Sequence, residues 1–267
     1  MNESSQGWME AALESARRAG EMALASFGRQ LRVEAKPDGT PVTDADRAAE
    51  SAAREWIARR FPDDGILGEE LGSVREQAPR RWLIDPIDGT KSFVRGVPLW
   101  GSLVALVEGK DVLAGAAFFP ALGERIVAAP GRGCWWNGAR CQVSAVATLA
   151  HALALVTDER FAARPQRRAG WLNLAGAVAT SRTWGDAYGY LLVATGRAEI
   201  MVDPVLSPWD AAPLVPIVQE AGGVYTDWDG GGGFAGESAI ATNAALALEA
   251  RRLLGCPWPP HHGVPRA

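Results

Sequence analysis

The sequence predicts a layered α/β fold of mixed strand direction. Three observations carry that expectation. Between residues 100 and 144, apolar runs are separated by short Gly-rich turns, as in neighbouring antiparallel strands. From residue 151 onward, strand and helix patterns alternate. No low-complexity insert or internal repeat interrupts either half.

The elements follow in order. Residues 8–27 place Met9, Leu13, Ala16, Leu24 and Phe27 on one helical face, with Glu10, Glu14, Arg17 and Glu21 elsewhere. The turn "KPDGTPV" leads to a second helix from Asp44 to Phe61. "DGILGEE" reads as a short strand ending in acids. "WLIDPIDGTKSF", residues 82–93, reads as a buried strand, Trp82 to Ile84, that stops abruptly at Asp85. "WGSLVALVEG" and "VLAGAAFFP" are neighbouring strands joined at Gly109–Lys110, and "GERIVAAPGRGCWWNGARCQVS" continues as short strands. In the second half, "HALALVT", "AEIMVD" and "SAIAT" read as strands. "GDAYGYLLVATG", "SPWDAAPLVPIVQEAGG" and "NAALALEARRLL" read as helices. We expect an α+β half over 1–148, an α/β half over 149–255 and a disordered tail over 256–267.

Composition removes several classes of function. The chain has 267 residues, 48% hydrophobic and 22% charged, enough for a substantial core. A net charge of −4 without a long basic run argues against nucleic acid as a partner. No apolar run reaches the roughly 18 residues of a membrane span, and the first residues carry no apolar secretory core. Three cysteines, Cys134, Cys141 and Cys256, form no metal-like pair, and a reducing cytoplasm is the expected setting.

Histidine is scarce. His261 and His262 lie in the Pro-rich tail, and His151 opens an apolar run. None has the setting of a catalytic base, so the chemistry must run on carboxylates, hydroxyls or metals.

The carboxylates gather at strand ends and helix starts in four places: Asp44 and Asp46 in "VTDAD", Glu69 and Glu70 in "GEE", Asp85 and Asp88 in "DPIDGT", and Asp210 in "PWD". Each has a plain structural reading. Thr43 with Asp46, and Ser207 with Asp210, have the spacing of capping boxes. Glu69 and Glu70 would suit a solvated turn. Asp85 and Asp88 resist such a reading, because two acids at the mouth of an apolar strand repel each other and resist burial. Hard cations such as Mg²⁺ explain all four places together. They want oxygen ligands, and a pair of them activates water for in-line phosphoryl displacement. Asp85, the Ile87 carbonyl and Asp88 lie on one turn, with Pro86 fixing the backbone between them.

"GEE", "WLIDPIDGTKSF" and "PWDAAPLVPIVQEAGG", in that order and spacing, resemble the inositol monophosphatase family of Mg²⁺-dependent, lithium-sensitive phosphatases, over nearly the whole chain. The resemblance implies an αβαβα sandwich, a small phosphorylated metabolite as substrate, a homodimer, and roughly two to three Mg²⁺ ions per site. It makes Glu69, Asp85, the Ile87 carbonyl, Asp88 and Asp210 the metal ligands. It makes Thr90 the hydroxyl that orients the attacking water, with Asp46 as its acidic partner and Glu69 in the same catalytic group. Gly89 and Thr90 would offer backbone N–H groups to the phosphate. Within the family, Lys91 after "DGT" and "TWGDAYGYLLVATGRAEIMVDP" are closest to the histidinol-phosphate phosphatase branch. That branch implies a substrate with an ammonium and an imidazole. Asp186 and Asp203 would pair with the ammonium, and Trp184 would stack on the imidazole. Asp186 also suits a helix cap, Asp203 a strand-end turn, Trp184 a core position and Lys91 a solvated side chain. Inositol-1-phosphate and 3′-phosphoadenosine-5′-phosphate are the alternative substrates, and a non-catalytic metal- or partner-binding protein is the alternative of another class.

Overall fold

A computed structural model describes residues 5–29, 32–35 and 41–256. Residues 36–40 of the expected turn, the tail beyond residue 256, His261 and His262 lie outside the described residues.

Helix α1 (Ser5–Leu24) buries Met9, Ala12, Ala16, Ala19 and Ala23. The apolar face is therefore turned toward alanines, and Leu24 is 39% exposed, against expectation. The reason is close approach: a side chain at Gly20 would meet the Phe118 ring at 2.6 Å, so around Gly20 only small residues fit under the helix. Phe27, just past α1, packs instead on Phe93 and Trp100. A hairpin of β1 (Val33–Ala35) and β2 (Pro41–Thr43), not anticipated from the sequence, leads to α2 (Asp44–Arg60). The strands β3 (Gly65–Gly68), β4 (Gly72–Val74) and β5 (Arg80–Asp88) come next. The short α3 (Thr90–Phe93) follows, then β6 (Gly101–Glu108), β7 (Asp111–Phe119), β8 (Glu124–Ala129), β9 (Gly133–Trp136) and β10 (Ala139–Cys141).

The second half contains β11 (Leu153–Val156), α4 (Arg168–Ala177), β12 (Thr180–Arg182), α5 (Asp186–Ala194), β13 (Ile200–Asp203), α6 (Pro208–Glu220), β14 (Val224–Thr226), β15 (Ala239–Thr242) and α7 (Ala247–Leu254). The expected strands and helices are present, and α4, β12 and β14 are added to them.

The strands form an eight-stranded sheet, ordered β10-β9-β8-β7-β6-β5-β3-β4, and a five-stranded sheet, ordered β12-β11-β13-β15-β14. Among the described residues, only β3 and β5 run parallel in the larger sheet. Side chains alternating along each strand sort the molecule into layers. Trp82, Ile84, Val104 and Leu106 face α1 and α2. Leu83, Leu103 and Ala105, on the other face, pack against α5 and α6, which also cover Leu155, Met201 and Ala241 of the smaller sheet. Beyond it, Ala154, Val156, Ile200 and Val202 pack against Trp171 and Leu174 of α4 and Leu254 of α7. The order is αβαβα, as the resemblance implied.

Helix α6 is the shared inner layer. Pro213 and Pro216 lie inside it and each removes a helical N–H. Burial of every residue from Ala211 to Val218 offsets that loss. The helix lies so close to β7 that a Cβ at Gly115 would overlap the Pro213 backbone. Gly115→Ala should therefore destabilise the fold by about 1–3 kcal/mol, as overpacking against an immovable backbone does. Urea denaturation would measure it, and an unchanged midpoint would show that α6 can yield.

Candidate active site

The site grows from the end of β5. This strand does not stop at Asp85 but runs to Asp88 through a bulge in its pairing with β6, where Asp85 opposes Leu103 and Asp88 opposes Gly101. Pro86 supplies no N–H, and its carbonyl accepts the Ser102 hydroxyl at 2.6 Å. The Asp85 carboxylate accepts the Ile87 N–H at 3.0 Å, which locks the turn. Gly89 then adopts φ +82°, where a Cβ would meet Leu99 O at 2.9 Å and the Asp186 carboxylate at 3.2 Å. Thr90 opens α3, and its hydroxyl turns back to donate to Ile87 O at 3.0 Å.

Other elements bring further acids to this strand end. Because β3 runs parallel to β5, Gly68 lies beside Ile84, and the Glu69 N–H donates to Ile84 O at 3.1 Å. The turn after Glu69 is held by buried Glu50 of α2, which accepts the Glu70 N–H at 2.7 Å and the Leu71 N–H at 3.2 Å. From α6 comes Asp210. Its capping box is present, with the Ser207 N–H on Oδ2 at 3.1 Å and Pro208 in the first turn. Carboxylate oxygens of Asp85, Asp88 and Asp210 all lie within 4.8 Å of one another. At the start of α5, the Ala187 N–H donates to Asp88 Oδ2 at 2.6 Å.

Burial pushes Asp85 well above the ordinary carboxylate range, and the charges of Glu69, Asp210 and Asp88 push it further. Asp88 moves the same way through burial and the charges of Asp186 and Asp210. Burial, with Glu69, raises Asp210 to about 7. Burial raises Asp186 to about 6, against the opposing pull of Lys91. These acids surround a cavity of about 760 Å³.

Of the residues singled out in the sequence, Glu69, Asp85, Ile87, Asp88 and Asp210 line this cavity. So do Gly89, Thr90, Lys91 and Asp186. Three others do not. Asp46 is buried in the α2 capping box, where it accepts the Thr43 N–H at 2.7 Å and the Thr43 hydroxyl at 2.6 Å. It does not pair with Thr90, whose hydroxyl is engaged by Ile87. Trp184 is 44% exposed and lies outside the lining, neither core nor cavity wall. Asp203 is 3% exposed behind the wall, where it accepts the Tyr190 hydroxyl at 2.9 Å. Burial raises Asp203 to about 8, although the hydroxyls of Thr157 and Tyr190 near it draw it back.

The sequence reading passed over Thr157, Asp158 and Arg160, which also line the cavity. Arg160 grips Asp158 through two nitrogens at 3.0 and 3.1 Å. Thr157 closes the strand pattern "HALALVT", and Asp158 and Arg160 follow it in a stretch where local sequence carried no signal beyond turn-forming residues. His151 is exposed and meets the Thr148 hydroxyl, away from the cavity.

The Inositol monophosphatase family profile matches residues 5–258. A histidinol-phosphatase of Chlorobaculum parvum is 45% identical over 241 residues, covering 89% of this chain and 93% of that protein. One of Mycobacterium tuberculosis is 46% identical over 241 residues, covering 88% and 93%. Among solved structures, the extragenic suppressor protein suhB of Bartonella henselae superposes with a TM-score of 0.87 at 29% identity, covering 92% of this chain and 97% of that one. The chain belongs to the inositol monophosphatase family.

That family is metal-dependent, and the donor set here fits a hard cation. It is all oxygen, it carries excess negative charge, and its converging carboxylates hydrogen-bond to backbone N–H groups. A stability test follows. An ordinary aspartate titrates near 3.8, while Asp186, Asp210 and Asp203 are raised to about 6, 7 and 8. Through that window the folded chain holds more protons than the unfolded one, so stability falls as pH rises. In chelator, the melting temperature should drop between about pH 5 and pH 8, and added Mg²⁺ should restore it most at the upper end. A flat or rising profile in chelator would mean that the acids are already compensated.

Proposed function

We propose that this member of the inositol monophosphatase family uses Mg²⁺ to hydrolyse L-histidinol phosphate to L-histidinol and phosphate. The observation that carries the choice of substrate is Asp186, an acid in the cavity wall beside the phosphate-handling strand end. The relatives named histidinol-phosphatase support the same reading. A cytoplasmic homodimer is the setting proposed with it, by analogy with the family.

Glu69, Asp85, Asp88, Asp210 and the Ile87 carbonyl would hold the cations. Bound there, Mg²⁺ supplies Lewis-acid polarisation of the phosphoryl group and lowers the pKa of a nearby water. The chain's own residues do the rest. Gly89 and Thr90, at the start of α3, present backbone N–H groups to the phosphate. The Thr90 hydroxyl, fixed by its bond to Ile87 O, keeps its lone pairs available to orient the attacking water. Glu69, also in the cavity wall, would accept a hydrogen bond from that water. Asp46 acts one step back, by fixing Thr43 and the start of α2. Ions and backbone N–H groups cannot tell one phosphomonoester from another, so discrimination falls to the far end of the substrate. There Asp186 would pair with the ammonium, and Lys91 favours the ionised form of Asp186.

Purified enzyme should turn over histidinol phosphate with Mg²⁺ and lose activity in excess EDTA, and Li⁺ should inhibit it. Histidinol phosphate should show a higher kcat/KM than inositol-1-phosphate, and the reverse order would overturn the substrate assignment. Asp88→Asn should cost about 100-fold or more in turnover in a folded protein, because it removes a charge from the ligand set. Thr90→Ala should also lower kcat strongly, and retained activity would reduce its hydroxyl to a turn-stabilising role. Asp186→Asn should cost about 10- to 150-fold in kcat/KM for histidinol phosphate, the worth of a charge-assisted hydrogen bond. Its effect on p-nitrophenyl phosphate, which has no ammonium, should be much smaller.

A further inference from the structure

Two cysteines face each other across the last hairpin of the eight-stranded sheet. Strands β9 and β10 pair antiparallel, with Trp136 opposite Ala139 and Cys134 opposite Cys141. The turn between them has two residues, Asn137 and Gly138, both with positive φ, the conformation that fits the twist of a tight hairpin. Directly opposite residues of an antiparallel pair point to the same face of the sheet. The packing agrees: Cys134 belongs to the apolar layer between the two sheets, and Cys141 packs against it. Cys134 is 1% exposed, whereas Cys141 is only partly buried. Both are free thiols, as is Cys256, which packs against the outer layer instead.

The spacing suits a bond that forms and breaks. Counting outward from the turn, hydrogen-bonded and non-hydrogen-bonded pairs alternate, so Cys134 and Cys141 form a hydrogen-bonded pair. Such a pair sets its α-carbons about 5.5 Å apart, inside the span of about 4.4–6.8 Å that a disulfide bridges. Its β-carbons stand about 5.5 Å apart, where a disulfide wants about 3.5–4.5 Å. A bond therefore closes with a small inward movement and stays slightly strained. Strained disulfides are the readily reduced ones, which makes this one reversible.

Exposure and surroundings give the two thiols different parts. Cys141 is the one that an oxidant reaches. The neighbouring Cys134 thiol lowers the pKa of Cys141 against the opposing effect of burial, and the charge of Arg197 adds to the lowering. Cys134, shut into the apolar layer, is held above the ordinary thiol range by Cys141 and by burial. The thiolate is the nucleophile, so Cys141 reacts first.

We propose that Cys134 and Cys141 are a reversible dithiol, which hydrogen peroxide oxidises to a cross-strand disulfide that fastens β10 to the sheet. The Cys141 thiolate attacks one peroxide oxygen. The O–O bond breaks, the departing hydroxide takes up a proton to become water, and Cys141 is left as a sulfenic acid. The Cys134 sulfur then attacks the Cys141 sulfur and the S–O bond breaks. The second hydroxide takes the Cys134 proton and leaves as water. Two thiols and one peroxide thus give one disulfide and two waters. Closure keeps Cys141 from the irreversible sulfinic stage. The place of the pair in the fold gives the bond a consequence. Among the described residues, β10 is an edge strand that pairs with β9 alone. Beyond it the chain crosses to the second half. The Val143 N–H donates to Ala221 O at 3.0 Å, and the Asn243 side-chain amide donates to Ser144 and Val146. The disulfide anchors the near end of that crossing.

The test treats the full-length, fully reduced chain with a slight excess of hydrogen peroxide and reads it by intact mass and by peptide mapping without reduction. The wild-type chain should lose two hydrogens, with Cys134 and Cys141 joined in one cross-linked peptide, and dithiothreitol should reverse the change. Cys134→Ala should stop at the sulfenic acid of Cys141, which dimedone traps. In Cys141→Ser, Cys134 should react at least about 10-fold more slowly than Cys141 does in Cys134→Ala. Amide hydrogen exchange over residues 139–143 should slow by about 10-fold in the oxidised protein. Should Cys134→Ala fail to fold, Cys134→Ser carries the same comparison. A wild-type chain that gains oxygen at Cys141 without closing, a bond from either thiol to Cys256, or a Cys134 that reacts first would overturn the proposal. Unchanged exchange over residues 139–143 would remove the fastening of β10.

Discussion

The arrangement depends on a repulsion. Asp85, Asp88 and Asp210 converge within 4.8 Å at the end of an apolar strand, and burial leaves little water to screen them. Left alone, such a group must take up protons or unfold. The surrounding structure holds the carboxylates together without neutralising them. Asp85 takes the Ile87 N–H, Asp88 the Ala187 N–H and Asp210 the Ser207 N–H. Among the described residues, none of these carboxylates forms an ion pair with a lysine or arginine. Neutral donors orient a carboxylate and preserve its charge for a cation.

Cationic side chains are placed at one remove. Arg54 pairs with Glu50, which fixes the turn after Glu69, and Arg160 is turned onto Asp158 at the cavity wall. Lys91 lines the cavity without quenching the strand-end acids, and its charge is felt by Asp186 and Asp158. The two kinds of acid are thereby separated. Those at the strand end form a cluster that could hold a metal ion, and those across the cavity are tuned by nearby cations.

Much of this was legible in the sequence, because the acids lie beside strong local signals. Thr43–Asp46 and Ser207–Asp210 have capping-box spacing, and both boxes form. For Asp210 the capping and cavity readings hold at once, with one oxygen engaged by the Ser207 N–H while the carboxylate joins Asp85 and Asp88. For Asp46 only the capping geometry is seen. Position along the chain is a poor guide to which way a side chain faces at a strand end, and so Asp203 lies behind the wall, not in it. Trp184 marks the same limit, since large aromatic residues are expected indoors and this one is 44% exposed. The alanine face of α1 was legible only in part, because packing distance, which hydropathy does not encode, decided that Leu24 would stay outside.

The inner helix α6 has a bearing on how the molecule comes into being. Asp85 and Asp88 belong to β5, and Glu69 directly follows β3, strands that pair with near neighbours in sequence, whereas Asp210 arrives on a helix that packs between both sheets. During synthesis the first three carboxylates exist long before the fourth. A nascent chain would therefore present only part of the proposed ligand set until α6 is made and seated. Closing that long loop is entropically costly and comes late in folding. On the proposed ligand set, tight capture of a cation would then be a sign of a finished molecule, one that a half-made chain could not give.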